Sequence, residues 1–309
     1  MTHSPVCLVV GYGSIGSRHV RILESLGCEV FVVSRRPQTH ARTFSSVPQA
    51  LSSRRFDCVV VADETSRHAS TLRALENGGF QGTILVEKPL ASPQDDIAPP
   101  AHCTTVVGYQ LRFDPLMKAV RQLIQGQTIT SAEIRACSYL PEWRPHRDYQ
   151  QTESASRKAG GGVLRDMSHE LDYALWLLGP WLRLTAIGGH LSRLEIDADD
   201  SWAILFETAR CPSVTLSLNY LDRREERWMV VNTDRGTIKA DIYNRTLVFN
   251  GETLFTGTNE DVDQTYVDED QAMLSGDFRE FCSFDEGVAV VRMVGAIETA
   301  SREGRWIQG

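Results

Sequence analysis

The fold of this chain is decided near its N-terminus by the stretch VCLVVGYGSIG, residues 6–16. Five apolar residues predict a buried β-strand, and the G-x-G-x-x-G pattern after them opens a stretch with helical spacing. In such a unit Gly11 permits the tight turn, Gly13 lets a pyrophosphate approach the backbone, and Gly16 lets the helix pack on the strand. The helix N-terminus supplies N–H groups and a positive dipole. We therefore expect a dinucleotide to be bound by Gly11, Gly13, Ser14, Ile15 and Gly16.

Short apolar runs alternate with helix-like stretches over the first hundred residues. This rhythm is typical of a doubly wound parallel sheet covered by helices. The predicted strands are residues 6–10, 30–33, 58–61 and 84–86, and the predicted helices between them are 15–26 and 68–77. Residues 182–250 instead alternate with period 2, which predicts an open, mostly antiparallel sheet with hairpins at 234–236 and 250–251. Helices are predicted at 115–124, 270–281 and 287–301.

Composition excludes several classes of protein. The 309 residues carry 32 basic and 40 acidic side chains, a net charge of −8, which disfavours binding to nucleic acid or to an anionic membrane. No apolar run approaches the ~20 residues of a membrane span, and no basic region precedes the first apolar run. The seven cysteines are scattered singly, which indicates neither a disulfide framework nor a zinc site. We expect a cytoplasmic protein.

The end of the second predicted strand should meet the adenosine ribose, where an acidic residue would bind the 2′-hydroxyl of NAD. Here stand Ser34, Arg35 and Arg36. A carboxylate would repel a 2′-phosphate, whereas guanidinium groups bind one with charge-assisted hydrogen bonds. The pattern favours NADP; if both arginines only form a solvated strand–helix junction, NAD or either coenzyme is used. Loops near the nicotinamide are predicted to contain Asp63, Thr65 and His68.

Motifs spread along the chain resemble the Gfo/Idh/MocA oxidoreductase family. They are the N-terminal glycine motif, the tripeptide Glu87-Lys88-Pro89, the stretch RFDP at residues 112–115, the triple glycine at 160–162 followed by Asp166, His169 and Asp172, and the stretch SREGR at 301–305. The resemblance covers nearly the full length. It implies a dinucleotide-binding Rossmann domain, residues 1–110, and a substrate-binding and oligomerisation α+β domain, residues 111–309, whose open sheet would form a homodimer or homotetramer.

The resemblance also implies hydride transfer between a nicotinamide and a sugar or cyclitol carbon, with Lys88 beside the nicotinamide and Pro89 in the cis form. Lys88 suits this role chemically, because ketone reduction needs a proton donor at the developing alkoxide and an ammonium both donates and stabilises charge. The resemblance assigns Glu87 and Gln110 to the coenzyme as well, and Tyr109 and Arg112 to the substrate.

A second group of candidate catalytic residues lies on the helix predicted to begin at Leu164. Asp166, His169 and Asp172 are spaced by three, so they can share one helical face. We expect His169 to act as acid/base or to bind a substrate hydroxyl, with Asp172 or Asp166 orienting it; Asp172 also counts as a substrate ligand. Relatives usually place an aspartate four residues before the histidine, so the spacing of three leaves the partner open. A buried structural histidine is the alternative. No metal is expected, because hydride transfer needs none.

The stretch YLPEWRPHRDY, residues 139–149, resembles a substrate loop. Its aromatic rings can stack on a sugar and its guanidinium groups can bind a carboxylate or phosphate, so we expect Trp143, Arg144 and Tyr149 to contact substrate. An oligomer contact or a solvated lid is the alternative for this loop.

Taken together, the motifs and the resemblance predict an NADP-dependent oxidoreductase acting on a sugar, sugar nucleotide or sugar acid. The triple glycine and the stretch SHELDY, residues 168–173, resemble family members associated with bacterial surface sugars, which implies a role in surface-carbohydrate biosynthesis. Two alternatives stay open. One is a non-catalytic regulator that senses a dinucleotide and a sugar. The other is a glycoside-cleaving enzyme that uses tightly held NAD for internal redox.

Overall fold

The structure, a computed structural model, describes residues 4–35, 40–258 and 260–309, of which 260–262 through their backbone alone. The chain divides into two compact units. The first comprises Met1–Phe113 and Asp263–Val288, and the second Asp114–Val262 and Ala289–Gly309. The sequence analysis expected a single domain boundary at residue 110. It did not predict that residues 263–288 are part of the first unit.

The first unit is built from strands that alternate with helices. Its first nine elements are β1 (Val6–Val10), α1 (Ser14–Ser25), β2 (Glu29–Val33), β3 (Thr43–Phe44), α2 (Val47–Ser53), β4 (Cys58–Val61), α3 (Thr65–Asn77), β5 (Thr83–Glu87) and β6 (Thr104–Gly108). The four predicted strands and two predicted helices are confirmed. The sequence patterns did not predict β3, α2 or β6; β3 has only two residues, which are too few for a periodic signal. A hydroxyl cap at Ser46 and Pro48 in the first turn begin α2, a signal of a helix N-terminus.

The six parallel strands lie in the order β3-β2-β1-β4-β5-β6, which is the doubly wound order of a Rossmann sheet. Helices cover the strands of such sheets on both faces, and Val9, Val30, Val60 and Leu85 are buried accordingly. The halves of the sheet meet where β1 pairs with β4. Ligands of open α/β sheets bind at this switch point, outside the carboxyl ends of the strands.

The second unit contains a large open sheet. Its elements up to residue 256 are α4 (Pro115–Leu123), β7 (Ile129–Cys137), α5 (Val163–Asp166), α6 (Ser168–Leu178), β8 (Trp181–Gly189), β9 (Ser201–Thr208), β10 (Val214–Asn219), β11 (Glu226–Thr233), β12 (Gly236–Asp241), β13 (Thr246–Phe249) and β14 (Glu252–Thr256). All described pairs are antiparallel except β7 with β10. Val214, Leu216 and Leu218 are buried on one face, so the predicted alternation is confirmed, and both predicted hairpins are present.

The last four elements are α7 (Glu260–Ser275), β15 (Cys282–Ser283), α8 (Phe284–Glu303) and β16 (Ile307–Gln308). The helix predicted at 270–281 is wrong in its bounds: α7 starts ten residues earlier and ends before Gly276, which has φ +71°. Met273 and Phe281 both pack into the core of the first unit. The sequence pattern predicted a helix up to Phe281 because the buried apolar residues after α7 fall at spacings that a helix would also show. β15 pairs with β6, and β16 with β8.

The single helix predicted to begin at Leu164 is also wrong. The chain leaves helical geometry at Met167, with φ −99° and ψ +33°, and this break separates α5 from α6. Asp166 therefore ends one helix, whereas His169 and Asp172 lie on the next. The spacing argument holds for His169 and Asp172 alone. None of the described helices has the length and hydropathy that a membrane-crossing segment needs.

Candidate active site

The glycine turn between β1 and α1 lies at the switch point of the parallel sheet. Gly11 has φ +98°, and a Cβ there would lie 2.4 Å from the carbonyl oxygen of Ala62. A Cβ on Gly16 would lie 2.2 Å from the carbonyl oxygen of Gly11, whereas one on Gly13 would meet nothing within 4 Å. No side chain caps the N-terminus of α1. Two glycines are thus required by the fold, and the third leaves open space at an uncapped helix end that can accept an anion.

The ribose end of the predicted coenzyme site follows β2. The Ser34 amide donates to the carbonyl of Phe44 at 3.0 Å, which fixes the backbone at this point. Arg35 is exposed, and its guanidinium lies 3.9 Å from the Glu64 carboxylate, a separation that makes a weak surface pair. Arg36 lies outside the described residues. The described part of the site therefore presents one exposed guanidinium at the end of β2.

Asp63 and His68 form a compact arrangement after β4. The Thr71 hydroxyl donates to Asp63 at 2.9 Å, and burial raises the pKa of Asp63. The buried His68 ring contacts the carbonyl of Asp63 at 3.0 Å and the carbonyl of Pro89 at 3.1 Å. Thr65 opens α3. His68 thus supports the Lys88–Pro89 segment through backbone contacts.

Lys88 follows the last residue of β5 and is half-buried. Its peptide bond to Pro89 is cis, as the family resemblance predicted. Its backbone N–H donates to the Glu87 carboxylate at 3.1 Å. The glycine turn follows β1 and Lys88 follows β5, and these strands run parallel in one sheet, so both lie at its carboxyl edge.

Tyr109, Gln110 and Arg112 are buried in the first unit. The Arg112 guanidinium donates to the carbonyl of Phe281 at 3.2 Å and pairs with Glu286 at 3.1 Å. Arg112 therefore holds the segment that returns to the first unit.

His19 is the centre of a buried cluster that the sequence patterns did not predict. Its Nδ1 lies 2.8 Å from Asp270, its Nε2 lies 3.0 Å from Glu87, and all three side chains are buried. Glu269 joins them: His19, Glu87 and Glu269 each place one potential ligand atom within 4.8 Å of the others. A signal was available, because His19 follows Gly16 at the i+3 spacing of the buried face of α1.

In the second unit, Asp166 is held by Tyr220, another residue that the sequence patterns did not predict. The hydroxyl of Tyr220 donates to Asp166 at 2.5 Å, and the Tyr220 ring is fully buried. Burial, together with the Asp166 carboxylate, raises the pKa of Tyr220 well above its usual value, so the phenol remains a donor. The one sequence signal for Tyr220 was the alternation of buried residues along β10, which indicates that the residue directly after this strand is buried.

His169 and Asp172 lie one turn apart on α6, and both are buried. Between them the fully buried Glu170 pairs with Arg227 at 2.8 Å, and burial and Glu170 raise the pKa of Tyr173 well above its usual value. The pair of His169 and Asp172 is compatible with an imidazole oriented by a carboxylate on one helix face.

The triple glycine closes a turn that no larger residue fits. A Cβ on Gly161 would lie 2.0 Å from the carbonyl oxygen of Glu153, and one on Gly162, which has φ +114°, would lie 2.1 Å from the Asp199 carboxylate. Asp199 accepts hydrogen bonds from the Leu164 amide at 3.0 Å and the Trp202 indole at 2.8 Å. The glycines therefore let Asp199 anchor the start of α5.

The predicted substrate loop forms short 3-10 turns. Trp143, Arg144 and Tyr149 line one groove, together with Leu140, Thr152 and Ser154. The Trp143 indole donates to Ser138 at 2.8 Å, and its ring packs edge-on against Tyr220 with centroids 5.2 Å apart. Tyr220, which contacts Trp143, is also the residue that donates to Asp166.

Comparison with known proteins identifies the family. The sequence model of the GFO/IDH/MocA C-terminal domain matches residues 117–239. An inositol 2-dehydrogenase 2 from Paenarthrobacter aurescens is 27% identical over 239 residues, which are 68% of this chain and 67% of the relative. Together these matches support a Gfo/Idh/MocA oxidoreductase. The resemblance predicted from the motifs, and with it the oxidoreductase class, is confirmed.

Solved structures agree in fold with this chain. GenD2 from gentamicin A biosynthesis, in complex with NAD, has a TM-score of 0.82 at 22% identity over 100% of this chain and 97% of that protein. The WlbA dehydrogenase from Bordetella pertussis, in complex with NADH and UDP-GlcNAcA, has a TM-score of 0.81 at 21% identity over 99% of each chain. At these identities the likeness establishes the two-sheet fold.

Proposed function

We propose that this Gfo/Idh/MocA oxidoreductase transfers a hydride between NADP and a carbonyl or hydroxyl carbon of a sugar, sugar nucleotide or sugar acid. One observation carries the proposal: the glycine turn after β1 and Lys88 after β5 lie at the same edge of one doubly wound sheet. The inositol dehydrogenase among the relatives and the UDP-sugar in the WlbA complex support a substrate with sugar-type hydroxyl groups.

The residues at the switch point fit a dinucleotide. The open space around Gly13 admits a pyrophosphate, and the uncapped N-terminus of α1 offers it N–H groups from Ser14, Ile15 and Gly16. Ser34 and Arg35 would hold the ribose end. Asp63, Thr65, His68, Glu87 and Gln110 would shape the nicotinamide end, His68 and Glu87 by supporting the Lys88–Pro89 segment. When bound, the nicotinamide supplies or accepts the hydride.

Lys88 is the proposed proton donor of the reduction. The carbonyl oxygen gains negative charge as the carbon is reduced, and an ammonium at this oxygen stabilises the charge and then donates its proton. In the oxidation the neutral amine accepts the hydroxyl proton. Lys88 can hold a fixed position because its backbone is fastened to Glu87 and followed by the segment that His68 supports.

His169 is the proposed acid/base or hydroxyl ligand of the second unit. Asp172 on the same helix is the carboxylate that we propose orients it, and Asp166, which ends the preceding helix and is held by Tyr220, is the second candidate. Trp143, Arg144 and Tyr149 contribute aromatic faces and a guanidinium to one small groove of about 10 Å³, which is the size of a single water molecule. We propose that these side chains contact an anionic sugar outside the groove. Tyr109 and Arg112 are buried, so we propose that they support the site rather than touch substrate.

The choice of NADP rests on Ser34-Arg35-Arg36 at the end of β2, where no carboxylate stands in the chain. Relatives of known structure contain NAD or NADH, so NAD is the competing coenzyme. Fluorescence titration with NADPH and NADH decides between them. We expect NADPH to bind more tightly, and Arg35→Ala to weaken NADPH alone; tighter binding of NADH would overturn the choice.

Assembly through the open sheet is part of the proposal. Ile187 on β8 is 76% exposed and Leu205 on β9 is 39% exposed, which leaves apolar side chains on the outer face of the second unit. A homodimer or homotetramer would bury them. Sedimentation equilibrium of Ile187→Asp against the unaltered protein tests this. The cytoplasmic location and a role in surface-carbohydrate synthesis stay predictions.

The activity is tested by replacing Lys88. Lys88→Ala should lower kcat by about 10²–10⁴-fold on sugars, cyclitols, sugar acids or UDP-sugars, with the Kd of the coenzyme largely kept. Lys239→Ala removes an exposed lysine of β12 in the second unit and serves as the matched control. Near-normal turnover of Lys88→Ala would refute the role of Lys88. No change in nicotinamide absorbance with any of these substrates would refute the activity.

A further inference from the structure

The buried His19 cluster joins three segments of the first unit that are far apart in the sequence. His19 lies on α1, which opens at the glycine turn; Glu87 ends β5; and Asp270 lies on α7, 251 residues from His19. Both ring nitrogens have a carboxylate oxygen within 3.0 Å. When both carboxyl groups are ionised, two such contacts require two N–H donors, which only the imidazolium form possesses.

The charge state of the cluster agrees with this geometry. Burial lowers the pKa of His19, but Asp270 and Glu87 more than offset this, so its pKa lies well above the usual value. Glu269 is fully buried, and neither of its oxygens has a hydrogen-bond partner among the described residues. Burial, then the nearby Glu87 carboxylate, raises the pKa of Glu269 well above its usual value. Burial also raises the pKa of Asp270. The raised pKa of His19 favours an imidazolium between Asp270 and Glu87, and the raised pKa of Glu269 favours a neutral carboxyl beside them.

Glu87 connects this cluster to Lys88. One oxygen of its carboxylate faces His19 at 3.0 Å, and the other accepts the Lys88 backbone N–H at 3.1 Å. Across the sheet, Glu87 is opposite Gly108, and a Cβ on Gly108 would lie 3.3 Å from the Glu87 oxygen that faces His19. A side chain at position 108 would therefore crowd this carboxylate, and the contacts that hold its two oxygens are those with the His19 ring and the Lys88 N–H.

We propose that His19 is a positioning residue for Lys88: it holds the Glu87 carboxylate in the orientation that fastens the Lys88 backbone, and so couples the coenzyme-binding helix α1 to the proton donor. The coupling acts through Nε2, whereas the contact of Nδ1 with Asp270 anchors the ring. The inference rests on the proposed function, because it presupposes the catalytic role of Lys88.

Two isosteric replacements separate the two contacts. The amide nitrogen of His19→Gln reaches the position of Nε2 and keeps the contact with Glu87, whereas that of His19→Asn reaches the position of Nδ1 and keeps only Asp270. Both variants lose a buried ion pair and should lose similar thermal stability. We expect His19→Asn to lower kcat by about 10- to 100-fold, as small misplacements of a catalytic group do. His19→Gln should recover most of this loss, and coenzyme KM should change little in either.

A readout without turnover distinguishes failure of this inference from failure of the proposed function. Hydrogen exchange of the Lys88 amide should be faster in His19→Asn than in the unaltered protein and restored in His19→Gln. Should the His19 variants not fold, Glu87→Gln serves instead, because its amide offers one acceptor oxygen where two are needed; it should speed this exchange and lower kcat.

Equal kcat and equal Lys88 exchange in folded His19→Asn and His19→Gln would overturn the inference. So would one equivalent of a divalent cation, measured by inductively coupled plasma mass spectrometry in the purified protein and lost in Glu269→Gln, because Nε2 would then bind the metal rather than donate to Glu87.

Discussion

Replacement of Gly13 by alanine should separate coenzyme binding from folding. The backbone at Gly13 has φ −81° and ψ −161°, which alanine adopts, and a Cβ there would meet no atom within 4 Å among the described residues beyond its chain neighbours. Alanine is a poorer N-cap than glycine, but it also lowers the entropy of the unfolded chain, so the two effects should cancel to within about 0.5 kcal/mol. The coenzyme-free protein should melt as before.

Coenzyme binding should respond differently, because the added methyl group occupies the space through which a pyrophosphate reaches the N-terminus of α1. Loss of one hydrogen bond to a charged group costs about 1.5–3 kcal/mol, which corresponds to a rise of about 10- to 100-fold in Kd. Fluorescence titration with NADPH and NADH measures this change. Unchanged affinity in a folded Gly13→Ala variant would refute the assignment of the coenzyme pyrophosphate to this turn.

Gly16→Ala is the matched control for this experiment. A Cβ on Gly16 would lie 2.2 Å from the Gly11 carbonyl oxygen and 3.0 Å from its carbon, so the backbone itself must shift. Such overpacking costs about 1–3 kcal/mol. Thermal unfolding of the coenzyme-free protein should therefore move to lower temperature in Gly16→Ala and stay unchanged in Gly13→Ala. A reversed order would contradict the assignment of Gly16 to the fold and Gly13 to the ligand.

Three further predictions concern buried polar groups. Asp114 pairs with the buried Arg245 and accepts a hydrogen bond from the Leu116 amide at the start of α4. In urea unfolding, Asp114→Asn, which keeps a capping oxygen, should lower the free energy of unfolding by about 3–5 kcal/mol, and Asp114→Ala should lower it by about 1 kcal/mol more. Equal losses in the two variants would show that the cap adds no stability. Tyr220→Phe should cost about 1.5–3 kcal/mol of stability and lower kcat with coenzyme Kd unchanged; an unchanged kcat would exclude Asp166 as partner of the acid/base. The raised pKa of Glu269, which faces Glu87, His19, Asp270 and Tyr266, means that the folded state binds its proton more tightly than the unfolded state. The stabilisation from this proton is complete below the pKa of Glu269 in the unfolded state and falls by at most about 1.4 kcal/mol per pH unit above it. The free energy of unfolding should therefore decline less from acid to neutral pH in Glu269→Gln than in the unaltered protein. An equal decline in both proteins would contradict the raised pKa of Glu269.

Local sequence patterns predicted most of the two sheets. The run at 6–10 became β1, the run at 58–61 became β4, and the alternating residues 214–219 became β10, each with the expected bounds. Such signals work because a buried strand and a two-residue turn are specified by neighbouring residues. They were weaker for the candidate site: the tight turn at Gly11, the close packing at Gly16 and the position of Lys88 after a strand were predicted. The contacts of His19, Tyr220 and Asp199 were missed, because their partners lie far away in the sequence.

The order of hydrophobic runs and glycines in the sequence by itself determined the β-α-β units, the glycine turn and the position of Lys88 at the end of a strand. Only the tertiary structure decided that residues 263–288 return to the first unit, that the helix expected at Leu164 breaks at Met167, and that His19 contacts Asp270. The physical reason is that strands and turns depend on the local backbone and its solvent exposure. Contacts between distant residues form only after long segments of chain have been brought together, at an entropic cost. Which contacts form then depends on which buried polar groups still need hydrogen-bond partners.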